Sequence, residues 1–187
     1  MTVSLNNVNQ FNKLFPGKSL LLMNNNWTKF TKRIPISGDV ISVYKAWTTQ
    51  EELEKWFLRK AGFIRFDGNL RGRNESIQKG DKYEWYWHGY PDTVFEKNEI
   101  LEANGKDFLQ FSFSGNCVVS VKLYTMEGET IVELTQENIP MDHNPDTNLL
   151  VGCGEGWTFY LANLKSYLQG GIDLRNKNVN IKGVISS

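Results

Sequence analysis

Cysteine and histidine are scarce in this chain of 187 residues, which holds two of each. Cys117 and Cys153 lie far apart in apolar segments, so the pattern offers neither a disulfide framework nor the paired cysteines of a zinc site. His88 and His143 have no partner at the spacing of a helical metal motif. Excess charge of either sign is also missing. Lys plus Arg and Asp plus Glu both number 21, and with no basic block this argues against a nucleic-acid partner. Long apolar runs are absent, and the N-terminal cluster Leu20-Leu21-Leu22-Met23 is too short for a secretion signal or a membrane span. These absences lead us to expect a reduced, cytoplasmic protein with no membrane insertion, no metal and no cofactor. What the chain does have is aromatic residues: 13% of the total, including 6 Trp. Such a share implies either a bulky core or a lined pocket.

The organisation reads as an Asn-rich extension over residues 1–26, a domain over 27–170 and a tail over 171–187. From Trp27 to Ile34 polar and apolar residues alternate weakly, and Pro35 marks that strand as an edge or ends it. Ser37 is a cap candidate for a helix carrying Val40, Ile41, Tyr44 and Trp47 at helical spacing. Thr49 and Glu52 are placed as a capping box for a second short helix with Leu53, Trp56 and Phe57 on one face. A strand-like stretch over residues 61–69 follows, and Gly68, Gly72 and Gly80 punctuate a loop that reads as a hairpin or a mobile lip.

Period-two patterning then dominates. Tyr83, Trp85 and Trp87 share one face of a strand that also carries His88. Residues 93–101 form the next strand, which is unusually charged, so either Glu96 with Asn98 or Lys97 with Glu99 turns inward. An Asn104-Gly105 turn leads to Leu109, Phe111 and Phe113; Cys117, Val119, Val121 and Leu123 repeat the pattern. After a Glu127-Gly128 turn come Thr130, Val132, Leu134 and Gln136. The sum is an antiparallel sheet of about six or seven strands. A polar loop over residues 140–146 crosses to a long helix with Trp157, Leu161, Leu164 and Leu168 on one face and Gly170-Gly171 as its stop. The run Gly152-Cys153-Gly154-Glu155-Gly156 lacks the Lys-Ser/Thr ending of a phosphate loop and reads as the place where this helix starts or kinks.

The segments VYKAWTTQEELEKWF, GDKYEWYW, NEILEANGKDFLQFSF, GETIVELTQENIP and GWTFYLANLKSYL, in that order, resemble the START-like or SRPBCC superfamily, in the branch similar to the activator of heat shock protein 90 ATPase. The resemblance implies an α+β helix-grip fold: a curved antiparallel sheet wrapped around a long C-terminal helix, with two short helices after the first strand. It also implies an apolar cavity between sheet and helix. Carriers, cyclases, hydrolases and co-chaperone modules share that architecture, so it speaks to fold more than to function.

Candidate cavity residues are Tyr83, Trp85, Trp87, Phe111, Phe113, Val119, Val121, Leu134, Trp157 and Leu161, which either fill the space between sheet and helix or line a pocket there. A Tyr83 hydroxyl or a Trp indole N–H is available to orient a ligand. For a hydrolase or cyclase only Glu96, Lys97, His88 and Glu155 are candidates, and we assign no catalytic residue. Asp142, His143 and Asp146 read as a polar turn rather than a metal site, and Cys153, with no base in view, as packing. The expected function is binding of an apolar, lipid-like small molecule. The alternative is a stress-response interaction module for a chaperone or other protein.

Overall fold

The computed structural model describes residues 27–144, 147–178, 180–181 and 184; the Asn-rich extension, Pro145 and Asp146 lie outside them. Each period-two segment becomes a strand: β1 (Phe30–Ile36), β2 (Lys60–Ile64), β3 (Lys82–Tyr86), β4 (Glu96–Ala103), β5 (Phe108–Phe113), β6 (Cys117–Met126) and β7 (Glu129–Glu137). All pair antiparallel in one sheet of order β1-β7-β6-β5-β4-β3-β2. Helices α1 (Val40–Thr48) and α2 (Gln50–Trp56) carry the chain from one edge strand to the other, and α3 (Leu149–Leu168) follows β7. This is the helix-grip arrangement. None of the helices among the described residues is long and apolar enough to cross a membrane.

The register sets one face against the helices. Phe111 lies opposite Ile100 on one side and Val119 on the other, and Val121 opposite Leu134; all five are fully buried. In β4 an extra residue between Ile100 and Glu102 shifts the pairing, a bulge that bends the strand and helps the sheet curl. The β6–β7 turn has both central residues left-handed, Glu127 at φ 51° and Gly128 at φ 81°, the mirror-image turn whose twist suits a hairpin.

Several local expectations are corrected. The cap of α1 is Asp39, whose Oδ1 accepts from the Ser42 N–H at 2.8 Å, while the Ser37 hydroxyl donates to Glu129 across the chain at 2.9 Å. Starting there, α1 buries Val43, Tyr44, Ala46 and Trp47 and leaves Ile41 79% exposed. Thr49 does cap α2, but only half of the box forms, because the Glu52 carboxylate accepts from Lys55 and from the Tyr167 hydroxyl instead. Helix α3 begins at Leu149, with Asn148 Oδ1 accepting from the Leu150 and Val151 N–H groups, so the three glycines sit inside it rather than at its start. Its end matches expectation: Gly170 is left-handed at φ 75°, and the Gly171 and Gly170 N–H groups donate to the Ser166 and Tyr167 carbonyls, a Schellman closure.

Strand β3 stops at Tyr86, which puts Trp87 and His88 in the loop beyond it. In β4 the inward pair is Glu96 with Asn98, and Lys97 turns outward to Glu84. The glycine-punctuated loop is tied down: Arg71 donates twice to Asp81, at 2.6 and 2.8 Å, with both side chains buried, and the Ile77 N–H reaches the Thr48 carbonyl. Both sheet edges carry side contacts. On β1 the Pro35 carbonyl accepts from Lys165 Nζ at 2.8 Å. On β2 the Ala61 N–H donates to Glu54 Oε1 at 3.0 Å and the Phe63 carbonyl accepts from the Arg71 N–H at 2.9 Å.

Candidate functional site

In the first half of α3, Gly152 and Gly156 are four apart and so share a face, and a side-chain carbon added to either would meet nothing within 4 Å. Glycine inside a helix costs about 1 kcal/mol against alanine, so this half of the helix is weaker than its sequence need have made it. What the missing side chains leave is a cavity of about 220 Å³. It is lined by Phe57, Trp87 and Phe113, by Leu149, Trp157 and Tyr160 of α3, and by Ser114 and Cys153.

The ten residues singled out from the sequence separate into two groups. Trp87, Phe113 and Trp157 line the cavity. Tyr83, Trp85, Phe111, Val119, Val121, Leu134 and Leu161 belong to the buried core beneath it. There they are close-packed: the Tyr83 and Trp85 rings stack at 3.9 Å and Trp85 meets Phe111 edge-on at 5.1 Å. Trp157 bridges the groups, with ring centroids 5.3 Å from both Phe57 and Phe113. Two of the expected donors are already engaged, since the Tyr83 hydroxyl donates to the Ser112 carbonyl at 2.5 Å and Trp157 Nε1 to Gln136 Oε1 at 2.9 Å.

Phe57, Ser114 and Tyr160 are lining residues additional to the sequence-derived set, and Gln136, outside the lining, supports it through Trp157. Gln136 did leave a signal, as the polar last member of the inward series Thr130, Val132, Leu134, Gln136. It is fully buried, and its amide lies beside the Cys153 thiol.

The chemistry available here is limited. Burial pushes the Cys153 thiol up from its ordinary pKa, only partly offset by Gln136 and Ser114, which keeps it protonated and a poor nucleophile. Burial likewise raises the Tyr160 hydroxyl. Glu96 accepts from the Ser114 N–H at 2.9 Å and from Asn98, so its carboxylate is already engaged. No three His, Cys, Asp or Glu among the described residues group closely enough to hold a metal.

His88, outside the lining, is held below its ordinary pKa of 6.5 by burial and by the neighbouring charges of Arg175 and Lys177, against an opposing pull from Asp173. The folded state therefore binds this proton less readily than the unfolded one, and stability falls as pH drops through 6.5 towards the folded value. Asp173 is also depressed: its burial opposes ionisation, but Arg175 and Lys177 outweigh that, so its contribution is lost only below about pH 3.8. Urea midpoints at pH 7.5 and 5.5 should show a lower value in acid, and His88→Gln should shrink that difference. An unchanged difference in the variant would assign the effect to other groups.

Residues 39–169 match the model of a family described as Activator of Hsp90 ATPase homolog 1-like protein. No curated protein sequence matches the chain. Among solved structures, protein SSP2350 from Staphylococcus saprophyticus superposes with a TM-score of 0.62 at 18% identity, covering 79% of this chain and 96% of that one. The Aha1 dimer from Colwellia psychrerythraea gives 0.59 at 19% identity, covering 76% and 97%. CalU16 from Micromonospora echinospora gives 0.56 at 18%, covering 78% and 77%. At such identities these likenesses speak to the fold alone.

Proposed function

The chain belongs to the Activator of Hsp90 ATPase homolog 1-like family, within the START-like superfamily, and from that premise we propose that it binds a small apolar molecule under α3 and performs no catalysis on it. The observation that carries this reading is the cavity of about 220 Å³ walled by Phe57, Trp87, Phe113, Trp157 and Tyr160. An apolar cavity of roughly 150 Å³ takes benzene, and drug-sized ligands occupy roughly 300–1,000 Å³. The size therefore suits one or two fused rings, and a sterol or a full acyl chain exceeds it. Cys153 and Tyr160, the titratable groups of the lining, are both held in their neutral forms, which offers no acid–base pair for a hydrolase or cyclase step.

Titration with toluene, indane and naphthalene should give a saturable change in indole emission, together with a rise in thermal stability set by ligand concentration over dissociation constant. Gly156→Leu should abolish binding by filling the space while the helix gains about 1 kcal/mol in propensity. Undiminished binding in that variant would move the site elsewhere. Silence from all three compounds would favour the second reading, a surface for a chaperone or other protein partner. That reading draws on the family description and on the loop that carries Phe66 and Leu70, 100% and 74% exposed.

A further inference from the structure

Trp87 stands apart among the aromatic residues of the lining, because no helix or ladder hydrogen bond among the described residues holds it. Phe57 closes the last turn of α2 through its N–H to the Leu53 carbonyl, Phe113 belongs to β5, and Trp157 and Tyr160 belong to α3. The ladder of β3 with β2 ends at Tyr86 and that with β4 at Trp85, so Trp87 lies beyond both. Its ring is only partly buried. It meets Phe57 and Phe113 edge-on, with centroids 6.2 and 6.5 Å away.

One residue takes over where the ladders stop. Arg59, immediately before β2, donates its backbone N–H to the Tyr86 carbonyl at 2.8 Å, its Nε to the Trp87 carbonyl at 3.2 Å and an Nη2 proton to the Asp92 carboxylate. Its guanidinium also lies 5.9 Å from the Tyr86 ring centroid, and Tyr86 stacks on Phe95 at 5.4 Å. The Trp87 peptide and the loop that follows it, residues 87–95, are thus tied to the start of β2. A planar fork suits this task, since it sends two donors in fixed directions where an ammonium is a single point of charge. The ion pair with Asp92 is open to water, with 32% and 79% of the two side chains exposed, and such pairs add little to global stability. What Arg59 contributes is placement.

We infer that Arg59, which is not part of the lining, is a positioning residue for the cavity: it sets the Trp87 ring against a bound molecule by holding the Trp87 carbonyl and anchoring the 87–95 loop. This rests on the proposed binding role and adds to it a control over affinity from outside the cavity. A ring-sized ligand gains fully from Trp87 only if that side chain is already in place, because ordering it at the moment of binding uses up part of the contact energy.

Naphthalene and indane are titrated against the wild type, Arg59→Ala, Trp87→Ala and the double variant, with affinity read from the emission of the remaining indoles and from thermal shift. Arg59→Ala should weaken both compounds about three- to tenfold, the scale of one side chain ordered on binding, while its ligand-free urea midpoint stays close to that of the wild type. Trp87→Ala should weaken them at least as much. Adding Arg59→Ala to Trp87→Ala should then change affinity by less than about twofold, because Arg59 acts through a side chain that is no longer there. Arg59→Lys keeps the charge and the backbone N–H but not the fork, so it should show most of the same loss even if the Ala variant folds poorly. A loss equally large with and without Trp87 would overturn the positioning role, as would unchanged affinity in both Arg59 variants, and either result would leave the binding role standing. Failure of both compounds to bind the wild type would overturn both.

Discussion

Replacing Arg175 with Ala will cost about 3–5 kcal/mol of stability, the range found when one partner of a buried ion pair is removed. Only 1% of its side chain is exposed. The guanidinium donates to the carbonyls of Glu54, Lys55 and Leu58 and to the Asp173 carboxylate, closing the C-terminal end of α2, where helical carbonyls have no partner of their own. Asn163 adds to the same clasp: its Nδ2 donates to the Trp56 carbonyl at 2.6 Å and its Oδ1 accepts from the Leu174 N–H at 2.7 Å. The Ala variant removes the guanidinium donor from three carbonyls, while the Asp173 carboxylate keeps Lys177, the Asn163 amide and a backbone N–H. Arg175→Lys should recover only a minor part, because a point-like ammonium cannot serve carbonyls spread around a planar fork. Urea unfolding at pH 7 measures this, and a loss under about 1 kcal/mol would mean that the segment after α3 contributes little to holding α2.

Trp157→Ala should be of similar size, about 3–5 kcal/mol, as for large aromatic truncations in cores. The indole is buried against Trp47, Phe57, Phe111 and Phe113 and satisfies Gln136, so its removal joins the existing cavity to a new one and frees a buried carbonyl oxygen. Leu161, one turn on and 3% exposed, should cost about 2–5 kcal/mol on truncation but leave the cavity walls intact. A calorimetric series should therefore show both variants destabilised and only Trp157→Ala impaired in binding the ring compounds. If Trp157→Ala costs under about 0.5 kcal/mol, the packing of α3 described above is wrong.

The sheet was the legible part of this fold. A strand with one buried face writes that face into alternate residues, so Leu109, Phe111, Phe113 and Val119, Val121, Leu123 could be placed without coordinates. The start of α1 was less legible because Ser37 and Asp39 are both good caps and Ile41 is as apolar as Val43; the choice was made by contact with the sheet. Helix propensity misled at Gly152, Gly154 and Gly156, which read as a boundary although packing carries α3 through them. The cavity itself had no direct signature, since it depends on how far a loop residue, Trp87, stands from a helix more than sixty positions later. Arg175 was invisible for a related reason: it lies in no periodic element, and its partners are carbonyls, which every residue has.

The engaged edge positions of the sheet limit strand addition from another chain. An exposed edge strand is a template for adding a further strand, whether from a partner or from a second copy. At Pro35 an incoming strand would find no N–H donor and a carbonyl already held by Lys165. Along β2 it would find the Ala61 donor taken by Glu54 and the Phe63 acceptor taken by Arg71. At these positions the sheet is finished on both sides, so addition of a further strand there, and ordered polymerisation through it, is obstructed.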